Sequence, residues 1–179
     1  EQASARAAGR LLGIGVVSTI EPGVFDWNAY RTVGVPGVGV PEGVSIGIDI
    51  LGQITARVGF NLQGQGQYTI VAQLLADYFG VTMEEVRVVY ADTDHAPPHF
   101  GPGGSRVGVA ITGAVLGASA AIAEKLCAVA AVLLQVQPDQ VELMDGCLSV
   151  KGVHGAQMPM AQVDGAMLAR SDRLPPGME

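Results

Sequence analysis

The sequence predicts an α+β domain, and three observations carry that expectation. Short alternating stretches pair up around glycine or Asp-Gly turns, as β-hairpins do. Two longer stretches repeat apolar residues at helical spacing, one of them some thirty residues long. Strands and helices mixed with a hairpin suggest α+β or α/β layers, and the expectation is β-hairpins and a mixed sheet packed against two main helices. At 179 residues the whole chain, 1–179, reads as a single domain with ample length for a core.

In chain order, Leu11 to Ile20 (LLGIGVVSTI) reads as a buried strand closed by Glu21-Pro22-Gly23. Residues 22–43, rich in Gly and Pro, read as an irregular loop. Val44 to Ile50 and Ile54 to Phe60 alternate and form a hairpin around Gly52. From Thr69 to Phe79 the apolar positions 70, 71, 74, 75, 78 and 79 make a helical stripe, with Gly80 as its stop. Thr82-Met83-Glu84-Glu85 has the pattern of a capping box, and Val86 to Tyr90 is a strand. After a loop at 91–104, a long helix runs from about Ser105 to Gln135. Val141–Met144 and Leu148–Val150 then turn at Asp145-Gly146, and Met160 to Arg170 closes the fold as a short helix.

Composition narrows the function classes. Hydrophobic residues make up 49% of the chain and charged ones 15%, with 25 glycines, so a tightly packed core of Val, Leu, Ile and Ala is expected. The net charge of -7 and the lack of any Lys/Arg cluster argue against nucleic-acid binding. Cys127 and Cys147 follow no zinc or redox spacing and read as buried thiols of a reducing compartment. No basic n-region followed by an apolar run marks a signal peptide, so a cytoplasmic protein is expected. Val107 to Ala123 carries no charge, but it is short for a bilayer and built largely of Gly, Ala, Ser and Thr. A buried central helix is the expected reading, with no membrane span.

Two glycine-rich turns carry the chemistry. Gly64-Gln65-Gly66-Gln67 opens one helix and Gly101-Pro102-Gly103-Gly104-Ser105-Arg106 opens the other. Unpaired N–H groups and the helix dipole favour anions at such ends. Gln65 and Gln67 add amides that donate and accept. Arg106 at a helix start opposes the dipole unless an anion pairs with it, and a phosphate would resolve that conflict. A dinucleotide fingerprint would need glycine at 69, where Thr69 stands, and no Lys-Ser/Thr follows Gly104 as a P-loop requires. Asp92-Thr93-Asp94-His95 and His99 raise a metal reading, but Ala96-Pro97-Pro98 breaks the spacing and Asx-turn bonding is the expected role.

The stretches GQGQYTIVAQLLADYFGV and VRVVYADTDHAPPHFGPGGSR, followed by the Gly/Ala-rich helix, resemble the molybdenum hydroxylase family. That family includes xanthine dehydrogenase, aldehyde oxidase and the large subunit of aerobic carbon monoxide dehydrogenase. LGIGVVSTIEP and RLPPGME resemble the flanking segments, so the resemblance spans nearly the whole chain. It implies a molybdopterin-binding role for Gly64, Gln65, Gly66 and Gln67, for Gly103, Gly104, Ser105 and Arg106, and for Thr93. It further implies a molybdenum–molybdopterin cofactor, which can take a cytosine dinucleotide form. Implied partners are the remainder of the molybdenum subunit, iron–sulfur and FAD subunits, and a small carbon substrate. Gln67 stands where the family often has His, and Gly103 where a bulkier residue is common. The family's catalytic glutamate lies in a downstream segment outside this chain, so no catalytic residue and no metal ligand is assigned here. A non-catalytic scaffold of the same fold is the alternative.

Overall fold

Residues 44–60 form the expected hairpin, with β1 (Val44–Ile48) antiparallel to β2 (Ile54–Val58) and Val44 opposite Val58. Its turn is fixed by the Asp49 carboxylate, whose Oδ1 accepts from the amides of Leu51 (2.9 Å) and Gln53 (3.0 Å). The computed structural model describes residues 1–20 and 42–169. The expected turn at 21–23, nearly all of the loop at 22–43 and the residues beyond 169 lie outside the described residues.

β2 continues into helix α2 (Gln67–Phe79), which crosses over to β3 (Val86–Tyr90), parallel to β2 with Ile54 beside Val86. The sheet order is therefore β1-β2-β3, with β2 in the middle and its Ile54, Ala56 and Val58 wholly buried. α2 buries Val71, Leu75 and Phe79 of the predicted stripe together with Ala72 and Ala76, while the predicted positions 70, 74 and 78 are half-buried at its margin. It stops at Gly80, which is left-handed at φ 66° and so close to Asp145 that a Cβ would sit 2.6 Å from the Asp145 backbone. The capping box forms as expected around a single turn of 3₁₀ helix, Met83–Glu85.

The long helix, α3 (Val107–Leu134), packs on α2, β1 and a second sheet. That sheet has the order β4 (Val141–Met144), β5 (Cys147–Val150), β6 (Gln157–Pro159), all antiparallel, and α4 (Met160–Ala169) follows it. Asp145 and Gly146 both take positive φ, 49° and 70°, in the two-residue turn expected between β4 and β5. The fold is α+β, as predicted. α3 is long and apolar enough to cross a membrane by length and composition. It buries Val107, Ile111, Val115, Leu126, Val129 and Ala130 in the shared core, while Val109, Leu116 and Val132 face outward. Cys127 and Cys147 are free and half-buried, and burial pushes the Cys127 thiol up against the opposing pull of Lys151.

The segment Leu11–Ile20 departs from expectation. It is neither strand nor buried: Leu11, Ile14, Val16, Val17 and Ile20 are exposed. A strand needs a neighbour to take its N–H and C=O groups, and among the described residues no strand pairs with this segment. It leads instead from a short helix, α1 (Gln2–Ala7), which the sequence reading did not foresee.

Candidate functional site

The two glycine turns meet because of the sheet topology. β2 and β3 are parallel neighbours, so the chain after each leaves from the same edge of the sheet. β1 runs the other way, which brings its start to that edge as well. The loop after β3 folds back over the end of β2, where a Cβ on Gly59 would overlap the His99 ring. Tyr68, in the first turn of α2, ties the two loops together. Its hydroxyl donates to the Phe60 carbonyl at 3.1 Å, and its ring stacks on Tyr90 with centroids 4.1 Å apart. Burial pushes the Tyr68 phenol up, partly offset by a main-chain hydrogen bond at Leu62.

Between the turns lies a cavity of about 340 Å³. Gln63, Gln65, Gln67 and Ile70 line one side, and residues 102–108 line the other. Of the predicted residues, Gln65, Gln67, Gly103, Gly104, Ser105 and Arg106 share this cavity. Gly64 and Gly66 belong to the same turn without being part of the lining, both at positive φ. Thr93 lies apart, exposed in the loop after β3. Sequence reasoning missed Gln63, whose amide N–H donates to Gln65 Oε1 at 2.7 Å.

Both helix starts are open. α2 and α3 have no side-chain cap and no acidic residue in the first turn. Their N-terminal dipole ends converge on one cavity. Gln67 is nine-tenths buried there, and its Oε1 has no partner among the described residues. An orphaned buried acceptor costs about 1–3 kcal/mol, so a ligand that donates a hydrogen bond would relieve it. The donor set suits a ligand that is anionic at one part and carries N–H groups at another.

Arg106 requires a correction. The anion that offsets its place at the helix start is the protein's own Glu42. Arg106 Nη1 donates to Glu42 Oε1 at 2.6 Å and to the Gly101 carbonyl at 2.8 Å, and the guanidinium stacks over Phe100 at 5.3 Å. Both side chains are buried, at 5% and 1% exposure. Glu42 lay within the stretch read as irregular loop; the signal for it was the unpaired charge predicted at Arg106.

The metal reading is not supported. Asp92 Oδ1 accepts from the Asp94 amide at 3.0 Å, the Asx turn that was expected, and its Oδ2 lies 2.9 Å from His95 Nδ1. The His95 contact holds the Asp92 carboxyl below its ordinary value. Among the described residues, no three His, Cys, Asp or Glu side chains gather as a metal site.

Known proteins resemble the chain along nearly its whole length. Residues 1–174 match the family described as molybdopterin cofactor-binding domain. The large subunit of nicotine 6-hydroxylase from Paenarthrobacter nicotinovorans is 33% identical over 178 residues, covering 99% of this chain and 22% of that subunit. The carbon monoxide dehydrogenase large chain of Hydrogenophaga pseudoflava is 32% identical over 166 residues, 91% of this chain and 20% of its own. The crystal structure of quinoline 2-oxidoreductase from Pseudomonas putida 86 superposes with a TM-score of 0.73 at 29% identity, again over 99% of this chain and 22% of that one. The chain thus spans about a fifth of the length of the relatives it matches. With the family match running through both turns and the two helices they open, the chain belongs to the molybdopterin cofactor-binding domain family.

Proposed function

We propose that the cavity between the turns is this chain's share of a molybdopterin site. The observation that carries the reading is the buried, unpartnered Gln67 Oε1 beside two uncapped helix starts. Gly103 and Gly104 let main chain approach the ligand closely, Gly64 and Gly66 at positive φ shape the turn that presents Gln65 and Gln67, and the N–H groups of the two helix starts meet its anionic part. Gln65 and Gln67 read its hydrogen-bonding edge, with Gln67 accepting a pterin-type N–H. Ser105 and Arg106 complete the wall, and Thr93 contributes least, since it stands outside the lining. The cofactor itself supplies the redox chemistry at molybdenum when bound. Among the described residues no carboxylate lines the cavity, so this part binds and orients rather than moving protons.

In this reading the full-length protein is a molybdenum-dependent, cytoplasmic oxidoreductase. It hydroxylates or oxidises a small carbon substrate of the aldehyde, purine, N-heterocycle or carbon monoxide type. Iron–sulfur and FAD partners carry the electrons away, and a cytosine dinucleotide form would extend the cofactor's anionic part. Support comes from relatives described as large subunits or chains of a nicotine hydroxylase and a carbon monoxide dehydrogenase.

The test is elemental analysis for molybdenum, with pterin fluorescence after oxidative release, on the full-length protein co-expressed with its neighbouring gene products. Near one of each per complex is expected, and Gln67→Leu should lower retention about tenfold. A well-folded, assembled complex with neither would leave the non-catalytic scaffold of the same fold as the better account. The exposed apolar run at Leu11–Ile20 specifically favours that second reading.

A further inference from the structure

The second glycine turn is held shut at its base by one carboxylate oxygen. Glu42 Oε1 accepts from the Phe100 amide (3.3 Å) and the Gly101 amide (3.0 Å) at the start of the turn. It also accepts from Arg106 Nη1 (2.6 Å) at the end of the turn. Arg106 closes the ring by donating to the Gly101 carbonyl and covering the Phe100 ring. Between these two fixed ends, residues 102–105 form the cavity wall, with Gly104 and Ser105 both left-handed at φ 55° and 53°. For serine that backbone state is unfavourable and persists only where the surroundings impose it.

We propose that Glu42 is a positioning residue for the cofactor cavity: by clasping both ends of the turn it presets the wall formed by Gly103, Gly104 and Ser105. This rests on the cofactor reading above. Glu42 is not part of the cavity lining, so it acts through the turn and not by touching the ligand. Its charge also neutralises Arg106 at close range. Anion binding in the cavity then falls to main-chain N–H groups and the helix ends.

The experiment must separate positioning from simple stability. A buried ion pair replaced by apolar residues of similar size is often neutral for stability, whereas removing one partner is not. The double variant Glu42→Met, Arg106→Leu in the full-length, assembled protein therefore keeps the fold while removing the clasp. Its melting temperature should stay within a few degrees of wild type. Amide exchange across 100–106 should quicken, because Phe100 and Gly101 lose their acceptor. Molybdenum and pterin retention should fall about tenfold, the usual scale for a supporting partner. Because Arg106 itself lines the cavity, Glu42→Gln, which leaves Arg106 in place, reads Glu42 alone: its retention should fall between wild type and the double variant, and undiminished retention overturns the proposal. A double variant with wild-type melting and undiminished retention overturns the proposal. If wild-type protein itself holds no pterin, the cofactor reading fails. The exchange data then judge the clasp alone: faster exchange at 100–106 upholds it, and unchanged exchange overturns it.

Discussion

At the first glycine turn the stabilising bonds run between neighbours. The Gln63 amide donates to Gln65 Oε1, and Gln65 Nε2 to Gln63 Oε1, both on an exposed surface. At the second, the decisive bonds come from Glu42, 58 to 64 positions earlier in the chain, whose side chain is buried together with that of Arg106. Both turns end in an uncapped helix start on the same cavity. The difference shows that a local signature can specify a binding turn at little cost when solvent shares its hydrogen bonds. A turn built around a buried charge needs a partner that only the folded topology can deliver.

The largest expected effect breaks this asymmetry directly. Arg106→Ala strands the buried Glu42 carboxylate with only main-chain donors, which should cost about 3–5 kcal/mol in urea unfolding of the cofactor-free protein. Gln65→Ala, at the exposed turn, should stay within about 0.5 kcal/mol. Equal losses at the two sites would show that the buried clasp contributes no more than the surface bonds do.

Gln67 sharpens the contrast from the other side. It belongs to the locally built turn, yet it is the residue there that is buried and left with an unpartnered acceptor. Gln67→Leu removes that penalty and should stabilise the cofactor-free protein by about 1 kcal/mol, while cofactor retention falls. A destabilised Gln67→Leu protein would mean that the amide already has its partners without any ligand.

Legibility in the sequence follows the same division. Features fixed by neighbours were readable: the hairpin about Gly52, the α2 stripe ending at Gly80, the Asx turn at Asp92, and the Asp145-Gly146 turn. The two glycine turns were readable as openings of helices, and so as candidate anion sites. Partners far along the chain were not. Glu42 was invisible as the counter-ion of Arg106 because nothing local distinguishes it, although the need for an anion at that helix start was clear. Leu11–Ile20 failed for a related reason. Its composition is that of a buried strand, but burial depends on a neighbour, and among the described residues no strand pairs with it. Strand β6 was missed because three residues, one of them a proline, carry too little periodicity.

The smallest effect tests whether purely local motifs behave as the first turn does. Glu85 Oε2 accepts from the Thr82 amide and hydroxyl, both at 2.8 Å, fully in solvent. These bonds, the amide first, hold the Glu85 carboxyl below its ordinary value of 4.5. A carboxyl whose folded pKa is depressed adds stability that is complete above its unfolded value and is lost as pH falls through the folded one. The contribution is therefore present at neutral pH and disappears below about 4.5, as Glu85 takes up a proton. Glu85→Gln should flatten the acid limb of the stability–pH curve slightly and leave the neutral region nearly unchanged, because the glutamine oxygen still accepts from Thr82. Glu42→Gln should instead lower stability at neutral pH, since the buried guanidinium of Arg106 loses its counter-charge. If the two substitutions gave the same pH profile, the distinction between a solvent-shared local motif and a buried long-range clasp would not hold for this fold.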